Sequence, residues 1–195
     1  MLFRSYRPDP EVLSPLYRGD LLPLPRTLPS LSTPRLLLRA LDAGDSTDLF
    51  AIYGDSEVMR FVGEPPFPSL ATVAQMLASV ARLLAAGESL EWGLVARDSE
   101  RLIGTCGLHS FAGEAGLRQA EVGCMLARSH WGEGWMAEAL TALIAYARQL
   151  GIATLVADIE PDNLPSQRLF RRLGFVWQQA TCYCLSLEGV TPDHG

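Results

Sequence analysis

With 195 residues and a formal net charge of -6, the chain is long enough to bury a substantial single core and lacks the basic excess of a nucleic-acid scaffold. Hydrophobic residues make up 48% and charged residues 19%, a balance that excludes a disordered chain. No apolar run reaches the ~20 residues that span a bilayer and no signal-peptide core precedes the first prolines, so a cytoplasmic protein is expected.

Residues 1–32 hold Pro8, Pro10, Pro15, Pro23, Pro25 and Pro29, a density that blocks regular helix and central strand. They read as an N-terminal arm, and 33–195 as the domain. A first strand is expected over 35–41 and a short helix with an acidic start over 42–53. A second helix follows over 69–86, where Val73, Met76, Leu77, Val80, Leu83 and Leu84 recur at spacings of three and four before Gly87. The turn Asp98-Ser99-Glu100 joins strands over 90–97 and 101–109 into a hairpin. After a loop over 110–119 comes a strand over 120–127.

The longest periodic stretch, 133–150, reads as a helix burying Met136, Leu140, Leu143, Ile144, Ala147 and Leu150, with Gly151 as its stop. The apolar run 153–159 is short enough to be a buried strand. Asp162 or Asn163 is placed to cap a last helix, with Pro165 in its first turn and Leu169, Phe170 and Leu173 on its core face. Strands over 175–179 and 181–187 close the chain. The order β-α-α-β-β-β-α-β-α-β-β describes an α/β fold: a mixed central sheet flanked by helices, with hairpins early and a βαβ crossover late.

The four cysteines form no Cys-x-x-Cys pair and there are three histidines, so no metal site is expected. Cys182 and Cys184 share a strand face and read as reduced thiols.

Chemistry concentrates where the strand ending at Ala127 turns through Gly132-Glu133-Gly134 into the long helix. Glycines let a ligand approach the backbone, the first-turn N–H groups have no intrahelical partner, and the helix dipole favours an anion. This is a phosphate cradle, although glycines also serve simply as turn residues. No Gly-Lys-Ser/Thr follows, which argues against a nucleotide P-loop, and the glycines fall after a hairpin, which argues against a dinucleotide fold.

A second constellation runs from Asn163 through Ser166 to Leu173-Gly174-Phe175. Together the two segments resemble motifs of the GNAT N-acetyltransferase superfamily, in the branch of the ribosomal-protein N-terminal acetyltransferases. Glu121-Val122-Gly123 followed by the Gly-x-Gly helix start is similar to that family's acyl-CoA motif. Asn163, Ser166 and Leu173-Gly174-Phe175 are similar to its Asn-x-x-Ser…Leu-Gly-Phe motif. The resemblance runs from about Thr33 to the C-terminus.

It implies acetyl-CoA as co-substrate and a primary amine as acceptor, a small molecule or a protein N-terminus. It implies no nucleic acid and no membrane, and leaves the oligomeric state open, a homodimer included. The pyrophosphate would lie over Trp131, Gly132, Glu133, Gly134, Met136 and Ala137, and the pantetheine arm along Met125, Leu126 and Ala127. Asn163 would help hold that arm, Ser166 would lie near the sulfur, and Phe170 would stand on the cofactor side.

Attack of a neutral amine on a thioester needs a proton acceptor, oxyanion donors and a means of stabilising the thiolate. Glu121 is the candidate base, with pairing to a cation or to the substrate amine as its alternative role. Two departures matter. Phe170 stands where many members carry a thiolate-protonating tyrosine, leaving Ser166 or solvent as donor. Ser129 replaces a frequent Gln/Arg before the first glycine. The competing readings are an acyl-CoA-binding sensor or interaction module on the same fold and a nucleotide-binding α/β enzyme.

Overall fold

Alternating apolar residues build the strands, and the protein, seen in a computed structural model that describes residues 24–112 and 118–187, gathers them into one eight-stranded sheet. The strands are β1 (Leu31–Ser32), β2 (Leu36–Arg39), β3 (Ser89–Ala96), β4 (Leu102–Ala112), β5 (Arg118–Leu126), β6 (Ile152–Asp158), β7 (Val176–Gln179) and β8 (Cys182–Ser186). The helices are α1 (Ser46–Tyr53), α2 (Ser56–Met59), α3 (Leu70–Ala86), α4 (Trp135–Gln149) and α5 (Leu164–Arg172). Strand order is β1-β2-β3-β4-β5-β6-β8-β7. Every neighbouring pair is antiparallel except β5–β6, which α4 joins as a βαβ crossover.

Period-2 alternation sends one set of side chains to each face. Leu90, Trp92 and Leu94 of β3, Cys106 and Leu108 of β4, and Ala120 and Val122 of β5 meet Met136, Ala139, Leu140, Leu143, Ile144 and Ala147 of α4. Each buried leucine there contributes about 1.5–3 kcal/mol relative to exposure. The opposite face is covered by α1 and α3 through Leu49, Ile52, Tyr53, Val73 and Met76.

Several elements differ from the sequence reading. Residues 43–45 form a separate 3-10 turn ahead of α1, because Asp42 and Asp45 make a reciprocal capping box. The one-turn helix α2, capped by the Asp55 side chain, is too short to show a period. β4 reaches Ala112 and β5 starts at Arg118, shortening the loop expected over 110–119, whose residues 113–117 lie outside the described part. The last stretch of the proline-rich arm lies on the domain: Leu31–Ser32 pairs with β2, Pro29 O accepts the Trp92 indole N–H at 2.8 Å, and Leu24 and Leu28 pack on the core. The arm up to residue 23 lies outside the described residues. Asn163, rather than Asp162, caps α5. Cys182 and Cys184 are free thiols on β8, their Sγ atoms 3.7 Å apart.

Candidate active site

β5 and β6 run side by side for four residue pairs, from Arg118 against Ile152 to Glu121 against Val156. Beyond that pair they part. β5 continues to Leu126 on β4 alone, while β6 continues to Asp158 on β8. Along this free edge Gly123, Met125, Leu126 and Ala127 are half-buried, and their backbone is open to a chain-like ligand. One group of the edge is already engaged, since Leu126 O accepts the Trp131 indole N–H at 2.9 Å, while Ala127 N–H turns to the other side and donates to Ile103 O of β4 at 2.8 Å.

The loop from this edge into α4 is exposed from Trp131 to Gly134. Gly132 and Gly134 both adopt left-handed φ values, 81° and 82°. These two glycines turn the chain so that Gly134 becomes the helix N-cap without any side-chain cap. A Cβ on Gly132 would meet nothing within 4 Å, so the approach is open. The intrahelical ladder begins with Glu138 N–H to Gly134 O, which leaves the amides of Trp135, Met136 and Ala137 for a ligand. Met136 takes part through its backbone only, since its side chain is buried in the core. Glu133 accepts the Trp135 indole N–H at 2.9 Å.

A cation invisible to motif reading stands here. The Arg35 guanidinium lies 4.1 Å over the Trp135 ring, donates to Glu133 O, and is 3.7 Å from the position of a Cβ on Gly134. Glu138, from the first turn of α4, holds it through Nε at 2.6 Å and also accepts from the Arg35 amide and the Thr33 hydroxyl. Burial pulls the Glu138 pKa up, but the bonds from Thr33 and Arg35 outweigh it and leave the carboxyl below its ordinary range. Arg35 comes from 99 residues before Gly134 in number, and only the β2–α4 contact brings the two together.

Across the parting strands, Asn163 Oδ1 accepts the Ser166 amide at 3.2 Å, and both residues are half-buried at the start of α5. Phe170 is 3% exposed and meets Phe175 edge-on at 5.0 Å, on the core face expected of α5. Trp92 is likewise part of the core.

Glu121 sits at the last β5–β6 pair and is 9% exposed. Its cross-strand neighbour is His109, with Nδ1 3.9 Å from the carboxylate. Burial lowers the His109 pKa to about 4, so the imidazole is neutral at neutral pH and the contact is no ion pair. On the same face lie Ser89 and Glu91 of β3 and Thr105 of β4, all buried. Sequence reading singles out only Glu121 from this polar row, because the others sit on neighbouring strands and each looks like an ordinary strand residue. Nearby, Asp55, Glu57 and Arg128 line an open cleft of about 440 Å³ between α1, α2 and the turn after β5. Asp55 pairs with Arg128 at 3.2 Å across it.

Parallel strands that separate beside an uncapped helix N-terminus, with a buried carboxylate at the fork, leave room for a chain-like ligand that ends in a phosphate group. The family model described as Acetyltransferase (GNAT) domain matches residues 35–176, and the chain belongs to that family. The Bacillus subtilis protein named Uncharacterized N-acetyltransferase YoaA is 32% identical over 148 residues, covering 75% of this chain and 82% of its own length. Among solved structures, RimL, the ribosomal L7/L12 alpha-N-protein acetyltransferase in complex with coenzyme A, superposes with a TM-score of 0.71 at 19% identity. That match covers 81% of this chain and 98% of RimL. Spermidine N-acetyltransferase from Vibrio cholerae, in complex with CoA and spermine, gives 0.66 at 16% identity over 79% of this chain and 96% of its own. The chain is thus an N-acetyltransferase of a family that uses acetyl-CoA. Among the described residues no helix is long and apolar enough to cross a membrane.

Proposed function

We propose that the enzyme transfers the acetyl group of acetyl-CoA to a primary amine, of a protein N-terminus or a small molecule, by direct attack on the thioester. The observation that carries this reading is the buried Glu121 carboxylate at the point where β5 and β6 part. The pyrophosphate rests on the loop 131–134 and on the amides of Met136 and Ala137, with the Arg35 cation standing in for the side chain that Ser129 does not supply. The pantetheine arm follows Met125, Leu126 and Ala127, opposite Asn163.

Glu121 accepts the proton that leaves the acceptor ammonium, directly or through water. The neutral nitrogen then forms its bond to the carbonyl carbon, and collapse of the tetrahedral intermediate breaks the C–S bond. The thiolate takes its proton from Ser166 or from solvent. A thiolate is a tolerable leaving group near neutral pH, so a buried phenylalanine at position 170 does not stop the reaction. An amine panel read by mass spectrometry identifies the acceptor. Glu121→Gln is then expected to lower kcat by about 10²- to 10⁴-fold with acetyl-CoA affinity unchanged. An unaltered kcat and pH profile in that variant would remove Glu121 from the mechanism.

A further inference from the structure

The polar row beside Glu121 contains a carboxyl that the transfer step above does not use. Glu91 is 7% exposed, and its Oε2 has no hydrogen-bond partner among the described residues. The side chain lies across β4: a Cβ on Gly107 would sit 1.9 Å from Oε2, so the glycine is what makes room for it. Gly107 pairs with Gly123 of β5, at the free edge. Two strand spacings of about 4.8 Å separate β3 from β5, and the Glu91 side chain has already crossed the first. Beyond Gly107 the next position across the sheet, the half-buried Gly123, has no side chain either.

The buried Tyr53 hydroxyl and Thr105 Oγ1 share a hydrogen bond at 2.8 Å. Thr105 lies near enough to the Glu91 carboxyl to favour its charged form, though burial outweighs it. Oε2 is the oxygen left without a partner, so it is the atom on which a neutral Glu91 has a proton to offer. The titratable groups that face Glu91 are Tyr53 from α1, His109 from β4 and Glu121 from β5, with the thiols of Cys106 and Cys124 close by. None is a cation at neutral pH, while α3 covers this face with the apolar Val73, Met76, Leu77 and Val80. Desolvation accordingly raises Glu91 to about 8. A buried donor is left without an acceptor.

We propose that Glu91 is a specificity-determining residue of the acceptor site, which donates from Oε2 to an oxygen next to the reacting nitrogen. The inference rests on the transfer reading above, with Glu121 handling the nitrogen. It selects amines that carry such an oxygen, as in amino-acid amides, over plain alkylamines.

The test measures thiol release from acetyl-CoA with glycinamide and with propylamine, for wild type, Glu91→Gln and Glu91→Met. Acetyl-CoA affinity, equal in all three, shows that the cofactor site is intact. Gln keeps a donor and is expected to stay within a few-fold of wild type on both amines. Met is expected to lose about 10- to 100-fold in kcat/KM on glycinamide, mainly through KM, with propylamine unchanged. Both amines change protonation over this range, so the preference is read as a ratio of wild type to the Gln variant: the wild-type preference for glycinamide falls relative to that of Gln as pH passes about 8, where Glu91 ionises. Equal losses on both amines in the Met variant, or a Gln variant as impaired as Met, would overturn the proposal. Wild type that acetylates other amines of the panel but neither of these two would overturn the proposal alone, and wild type that binds acetyl-CoA and acetylates no amine overturns the transfer reading and the proposal with it.

Discussion

Gly134 caps α4 with a φ of 82°, and substitutions there separate backbone strain from electrostatics. A Cβ at this position meets nothing nearer than the Arg35 guanidinium at 3.7 Å, so Gly134→Ala adds no clash. Its cost is the left-handed conformation, about 1–2 kcal/mol, which lowers Tm by a few degrees. Gly134→Asp adds a carboxylate instead. Aspartate is a favoured N-cap and tolerates this conformation, so the fold should be no less stable than in the alanine variant. A carboxylate about 5 Å from a doubly charged pyrophosphate is repelled by about 2 kcal/mol in a water-like dielectric and about 7 kcal/mol at an effective dielectric of 20. Arg35 offsets part of this, which favours the lower figure, a loss in affinity of about 30-fold. Calorimetric titration with CoA and with pantetheine, beside a thermal melt, reads all three quantities. CoA should weaken in the Asp variant only, and pantetheine, which has no pyrophosphate, should bind alike to wild type and variant. Unchanged CoA affinity in Gly134→Asp, or an equal loss for pantetheine, would refute the placement of the pyrophosphate on this helix.

Two further outcomes follow from burial. His109 is held neutral, with a folded-state pKa of about 4 against an ordinary 6.5, so the unfolded chain binds its proton first as pH falls. Its contribution is fully present above about 6.5 and is lost progressively down to about 4, about 3 kcal/mol in all; His109→Gln should remove that slope from a series of denaturant melts. Restoring the tyrosine of related enzymes by Phe170→Tyr should not raise kcat. The ring is enclosed against Phe175, and a hydroxyl buried there without a partner costs about 1–3 kcal/mol, readable as a lower denaturation midpoint.

What the sequence discloses follows the range of the interactions. The α4 face is readable because Met136, Leu140, Leu143 and Ile144 recur within one helix, and the glycines at its start announce an open N-terminus. Asn163 and Ser166 are readable for the same reason, being neighbours in one helical turn. Arg35 is not, since nothing near it in the chain hints at Glu138 or Trp135. The row of Glu91, Thr105, His109 and Glu121 is hidden by strand register: only the pairing of β3, β4 and β5 sets them side by side. Phe170 is readable as a core residue from its spacing with Leu169 and Leu173 within one helix. β1 and α2 are too short for any period to register.

The four-pair join between β5 and β6 also has a mechanical meaning. The sheet behaves as two plates with one short weld, β1 to β5 on one side and β6, β8 and β7 on the other. Glu91, His109 and Glu121 ride on the first plate, while Asn163 and Ser166 ride on α5, which follows directly from the second. Their alignment is therefore set by a lever that pivots within a few residues of Glu121. A one-residue slip in that weld would displace the two sets of groups by more than 3 Å, and a small rotation about it would open or close the space between them.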